Sequence, residues 1–421
     1  MSSPSLFSVM SRRFYCRRSV LVLSCILLGA GLFVRCVNNG LKPAEAPASP
    51  VSGEYSGTAS CASCHKNILD SFLHTPHYLT SMPATAESIQ GSFSPGKNMF
   101  LFNPGSAIAM ETRNGNFYQV EYENGVEKKS RKFDITVGSG TKGQTYLYWW
   151  KDTLFQLPMT YFTALDQWCN SPGYAGKVAF GRPVTARCLE CHSTYARAVS
   201  APGAQFEKFD HHILFGVGCE KCHGPGAKHV QYEKDHPADK KAFLIRNPAT
   251  YSRQQSLDLC ALCHGGRLTA TSPAFSFQSG DTLVHFFSRD TSAKDAADID
   301  VHGNQYGLLK ASKCFRLSQM TCLSCHNPHE KETGKIALFS QRCLGCHQPR
   351  SGHDCTLSTV STARKEQNCI DCHMPVQSSR SIMVLLQGQS IPVSASMRSH
   401  YIKVYPEETK KITQALKNIS H

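Results

Sequence analysis

The chain has less apolar side chain than its length ordinarily calls for. Hydrophobic residues fill 41% of its 421 positions, slightly below the usual globular share, so a core of side chains alone would be thin. Long apolar runs are also scarce. Ser19–Val34 is uncharged and apolar, yet shorter than the roughly 20 residues a spanning helix needs. It nears the lower limit only with Cys36 and Val37 added. Arg12, Arg13, Arg17 and Arg18 precede it, which is the layout of an export signal with a basic leader kept in the cytoplasm. A small-x-small cleavage site at the right distance is missing, since Ala44-Glu45-Ala46 lies too far downstream. Residues 19–37 are therefore read as a signal anchor in preference to a removed signal peptide, with 1–18 as its cytoplasmic leader.

Cysteine and histidine, by contrast, are abundant, at 20 and 19 residues. Seven Cys-x-x-Cys-His sequences start at Cys61, Cys188, Cys219, Cys260, Cys322, Cys343 and Cys369, numbered I to VII below. Random placement would give about 0.04 such matches, so the pattern is not accidental. On a helical turn, positions i, i+3 and i+4 share one face. The two thiols can then form thioethers along one edge of a porphyrin while the imidazole reaches its iron, as in c-type haem attachment. Zinc would have to explain why His follows every pair, and a thioredoxin-like disulfide would want a βαβ setting. The reading is seven covalently attached haem c groups. The attaching thiols are Cys61 and Cys64, Cys188 and Cys191, Cys219 and Cys222, Cys260 and Cys263, Cys322 and Cys325, Cys343 and Cys346, and Cys369 and Cys372. The proximal iron ligands are His65, His192, His223, His264, His326, His347 and His373.

The haems also answer the shortage of core and the charge. Porphyrins fill space that Leu and Ile fill elsewhere. The net charge of +14 would suit nucleic acid or acidic lipid, but fourteen ionised propionates offset it by about −14, so nucleic acid is not an expected partner.

Twelve His lie outside the motifs, more than seven irons need, which favours a second imidazole on each iron. His329 follows motif V in Cys325-His326-Asn327-Pro328-His329. His229 follows motif III after Gly224-Pro225-Gly226. In both, a nearby Pro redirects the chain so that the next His can reach a different iron. His74, His77, His302, His353 and His400 are the remaining distal candidates. His211 and His212 are adjacent, so only one of them could ligate. Met320, Met374 and Met397 are read as packing residues. Cys169, Cys314 and Cys355 are left over in the exported part, enough for at most one disulfide.

Along the chain, 38–57 reads as a flexible tether and 58–91 as the first haem segment. Residues 92–165 read as a β-rich insertion, because Asn114-Gly115 and Asn124-Gly125 bracket Phe117–Tyr122 as hairpin turns do. Residues 166–380 form a six-haem core, and 381–421 a C-terminal tail carrying His400. Pro406–Ile419 reads as a helix, with Pro first, acids next and lysines later. The expected fold class is mainly α: a loop-rich haem core with a small β-rich module and an N-terminal transmembrane segment.

Motif III with Gly224-Pro225-Gly226 and His229 resembles the tetrahaem cytochrome c-554 family of nitrifying bacteria. Thr321–His329, motif VI and Asn368–Pro375 resemble the doubled motifs of many multihaem c-type cytochromes. The resemblance implies a mainly helical haem core, electron transfer, and His400 as a distal ligand. It transmits no substrate. Nitrite reductases of this superfamily often carry Cys-x-x-Cys-Lys, which does not occur here. The expected function is electron transfer outside the cytoplasm, at the face of the cytoplasmic membrane, between a quinol dehydrogenase and a terminal reductase. The alternative is an oxidoreductase acting on a small nitrogen or sulfur compound at one open-site haem.

Overall fold

The computed structural model describes residues 54–173, 178–201, 203–290, 295–348, 355–358 and 360–419. Among these, strand is nearly as abundant as helix, 26% against 30%, so the expectation of a mainly α protein is corrected. The reason lies between the motifs. Each haem motif needs only one helical turn, and the intervening chain pairs as antiparallel strands rather than extending those turns. The anchor expected over 19–37 lies outside the described residues, and no described helix is long and apolar enough to cross a membrane.

The two Asn-Gly turns form where the sequence puts them. Met99–Asn103, Ser106–Arg113, Asn116–Glu123 and Val126–Lys132 make a four-stranded antiparallel meander. Asn114 and Gly115 have φ of 50° and 74°, and Asn124 and Gly125 of 49° and 79°, the left-handed pair that a tight hairpin demands. Lysines on the outer strand, Val126–Lys132, deter pairing with other chains.

A five-stranded sheet runs in the order Ser81–Pro83, Ile135–Val137, Thr145–Trp150, Thr153–Gln156, Arg182–Pro183. Its outer strands lie beyond 92–165, so the β structure reaches into the flanking haem segments. Two buried clusters follow from strand alternation. One gathers Phe100, Ile108, Met110, Phe133, Tyr146 and Trp168. The other joins Ile135, Leu147 and Leu154 of the five-stranded sheet to Val184, Ala186 and Leu189 at motif II. The β structure is thus the wall on which motif II sits.

Gly91 shows how tight the first cluster is. A Cβ there would lie 2.0 Å from Cζ2 of Trp168, whose Nε1 donates to the Ser92 carbonyl at 2.8 Å. Gly91→Ala is expected to cost about 1–3 kcal/mol through overpacking, read as a lowered midpoint in denaturant unfolding.

Beyond the sheets the chain is short helices and two-stranded hairpins. The helix Arg253–His264 opens with a capping box in which the side chains of Ser252 and Gln255 accept from each other's backbone amides, and it is the centre of a third cluster with Leu283, Phe286 and Phe315. The hairpin Val376–Val384 with Val393–Arg398 packs Val384, Leu386 and Ala395 on Phe162 and Cys169. The last helix is Pro406–Ile419, as its composition suggests. None of the described cysteines, including Cys169, Cys314 and Cys355, is in a disulfide.

Candidate cofactor-binding sites

Each motif is built on a turn of helix. Helices Ala186–His192, Cys219–His223, Arg253–His264 and Ile370–His373 all end on the motif His. Motif V is a 3-10 turn, Cys322–Ser324, and motif VI starts at the end of helix Ile336–Leu344. In both, the His amide still donates to the carbonyl of the first Cys, at 3.0 Å for His326 and 2.9 Å for His347. Motif I runs from a 3-10 turn, Thr58–Cys61, into helix Ala62–Phe72, where His65 leaves helical geometry at φ −114°, ψ 35°. The turn puts both thiols and the imidazole on one face.

The motif imidazoles are oriented by what their Nδ1 atoms meet. Nδ1 of His223 lies 3.0 Å from the Arg246 carbonyl and that of His373 3.0 Å from the Lys403 carbonyl. A carbonyl only accepts, so Nδ1 carries the proton and Nε2 is left bare. His264 meets Oε1 of Gln305 at 3.2 Å and His192 the hydroxyl of Thr80 at 3.1 Å. His326 faces a carboxylate, Glu332, at 3.9 Å, and Glu332 is itself clamped by Arg342 at 2.5 Å.

Three motif imidazoles face an imidazole from elsewhere in the chain. Ring centroids are 6.2 Å apart for His264 and His77, 6.1 Å for His223 and His329, and 6.2 Å for His326 and His400. Burial drives the pKa values of His77 and His400 down to about 4, so both rings are neutral at ordinary pH, the form that binds a metal.

A family model described as cytochrome c554 and c-prime matches residues 175–224, the stretch holding motifs II and III. C-type polyheme cytochrome OmcB of Geobacter sulfurreducens (strain DL-1 / KN400) is 35% identical over 196 residues, 40% of this chain and 24% of that protein. OmcC of Geobacter sulfurreducens (strain ATCC 51573 / DSM 12127 / PCA) is 25% identical over 196 residues, with the same coverage. These matches support a multihaem c-type cytochrome family. The chain spans about a quarter of the length of these curated relatives. The crystal structure of the outer cell wall cytochrome OcwA shares its fold, with a TM-score of 0.50 at 16% identity, over 85% of this chain and 81% of that one.

The comparisons support covalently bound haem c, and the motif residues would fit it: thiol pairs on helical turns, with imidazoles steered from behind. Of the distal candidates, the structure brings His77, His329 and His400 to motif rings. His302 lies close to His192 and has Nδ1 3.5 Å from the Ser381 hydroxyl. His229 shows the same steering, with Nδ1 2.8 Å from the Phe243 carbonyl, but among the described residues no motif ring is paired with it. The same holds for His74. His353 lies outside the described residues.

Sequence reasoning passed over the residues between the cysteines. Glu220, 4% exposed, accepts from the amides of Ser56 at 2.8 Å, Gly57 at 2.9 Å and Gly226 at 2.7 Å. Glu190, 1% exposed, pairs with Arg187 at 2.7 Å and accepts from the Phe275 amide at 2.7 Å. Asp371 pairs with Arg398 at 2.9 Å. A charged spacer reads in sequence as a solvated side chain. Here each is the peg to which a distant segment is tied, and no local spacing announces that.

Proposed function

We propose that the cytochrome carries seven haems, most of them with two His ligands, and moves electrons between protein redox partners outside the cytoplasm. The observation that carries this reading is the spacing of the three imidazole pairs. A metal bonded at about 2 Å to one nitrogen of each facing ring, with each centroid about 1.1 Å behind its nitrogen, holds the centroids roughly 6.3 Å apart. The three pairs stand at 6.1–6.2 Å. Rotation about the metal–nitrogen axis leaves the angle between the rings free, so the 16°, 27° and 64° values suit ligation equally.

Haem c supplies a one-electron ferric/ferrous couple whose potential the protein sets through ligands, burial and hydrogen bonds. The chain's part would be to hold haem through its motif cysteines and to offer iron two imidazoles where His264 faces His77, His223 faces His329 and His326 faces His400. Carbonyls behind His223 and His373 fix those rings. His77 follows motif I but faces the ligand of motif IV, and His329 follows motif V but faces that of motif III. At the three paired motifs, imidazoles facing each other would leave no room for a substrate on an iron between them, which supports a carrier over an enzyme at those positions. Work outside the cytoplasm is supported by the fold shared with an outer cell wall cytochrome. A quinol dehydrogenase on one side and a terminal reductase on the other are the partner classes such a carrier would join.

The test is a haem count with ferric spectroscopy. The expected result is seven covalent haems per chain, low-spin throughout and inert to cyanide and nitrite. Fewer haems would sink the count. A high-spin ferric signal that responds to nitrite would sink the carrier and favour the oxidoreductase.

A further inference from the structure

Motif IV is bound to other motifs on three sides. From motif II, Arg187 Nη2 donates to the Leu262 carbonyl at 2.7 Å, inside the spacer of motif IV, and Cys191 Sγ sits 3.8 Å from the same oxygen. From the motif V side, the carbonyls of Met320 and Phe315 accept from Arg253, the first residue of the motif IV helix, at 3.1 and 3.0 Å. Cys322 and Cys263 pack against one shared hydrophobic cluster. From motif III, the Ser279 hydroxyl donates to the Cys222 carbonyl, and the next residue, Gly280, accepts from Gln255 on the motif IV helix at 2.6 Å. Motif VII is tied more simply, its Cys369 amide donating at 3.0 Å to Ser340 on the motif VI helix.

We propose that motif IV holds the junction of the electron route, with the cofactors of motifs II, III and V as its direct neighbours. The proposal rests on the haem reading above and gives it an internal order. A porphyrin edge is fixed by its thioethers, so two anchors that share a carbonyl or a packing cluster bring two porphyrin edges close together. Haem held at motif IV would therefore have three neighbours to exchange electrons with, whereas haem held at motif VII would have that of motif VI. The junction is also charged. Arg187 and Lys221, the latter 4.6 Å over the Phe275 ring, set two cations beside Glu190, and a net positive charge beside an iron favours its reduced state.

The experiment compares two single-site haem deletions in the full holoprotein, Cys260→Ala with Cys263→Ala at motif IV and Cys369→Ala with Cys372→Ala at motif VII. Mass and absorbance check that one haem is lost, and paramagnetic NMR and EPR follow those that remain. Deletion at motif IV is expected to change the signals of three other haems, and deletion at motif VII those of one. Equal effects, or a change in all six alike, would overturn the junction. Where the motif IV deletion does not fold, His77→Met in the intact holoprotein keeps the haem and raises its potential. Three other haems should then shift in step with its reduction, and a shift in one or none overturns the proposal. A parent protein without covalent haem would instead defeat the reading on which the junction rests.

Discussion

Replacing His400 by alanine is expected to turn one of the seven ferric haems from low-spin to high-spin and to let that one bind cyanide. The His400 ring faces that of His326, the motif V ligand, at 6.2 Å and 27°. It is buried, and burial holds its pKa at about 4. Its lone pair is therefore free for iron at neutral pH, with no proton to compete. Its carbonyl also accepts from Ser312 at 3.3 Å, so the backbone on either side is held and the substitution should remove a ligand without dislodging the segment. His400→Met should keep the iron low-spin while raising its potential, since a thioether favours the ferrous state. An alanine variant that stays wholly low-spin would show that His400 is no ligand.

Replacing Glu220 by alanine should bring the largest loss of stability, about 4 kcal/mol. The carboxylate is buried and accepts from three backbone amides, two at the entry to motif I and one just past motif III. Charge-assisted bonds are worth about 1.5–3 kcal/mol each, and water recovers part of that when they are lost. Glu220→Gln keeps one accepting oxygen and should cost roughly half as much. Denaturant unfolding followed through haem absorbance would measure both. A loss below about 1 kcal/mol for the alanine variant would mean that the amides find other partners.

What was legible in the sequence was local. Cys-x-x-Cys-His packs its chemistry into five residues, so all seven motifs could be read directly. Asn114-Gly115 and Asn124-Gly125 announce their hairpins because left-handed backbone at adjacent positions leaves few residue choices. Pro406–Ile419 carries its own start signal. What escaped was long-range. Nothing near His77 says that its ring meets His264 rather than His65, and nothing near Glu220 says that it ties down Ser56. The mainly α expectation failed for a related reason. Val376–Val384 reads Val-Gln-Ser-Ser-Arg-Ser-Ile-Met-Val, with little alternation, and its register shifts partway along the hairpin. Its partner, Val393–Arg398, and its packing on Cys169 make it a strand, and neither is a property of the segment itself.

The crossing of ligands between segments bears on how such a molecule matures. His77 is carried by the stretch anchored at motif I, and His329 by the stretch anchored at motif V, yet each faces an imidazole of another motif. A nascent chain that misses one thioether attachment thus loses a porphyrin at one place and the strut for a second porphyrin at another. Errors in loading would spread through the scaffold, and a cell would recover either the complete pigment or fragments for its proteases.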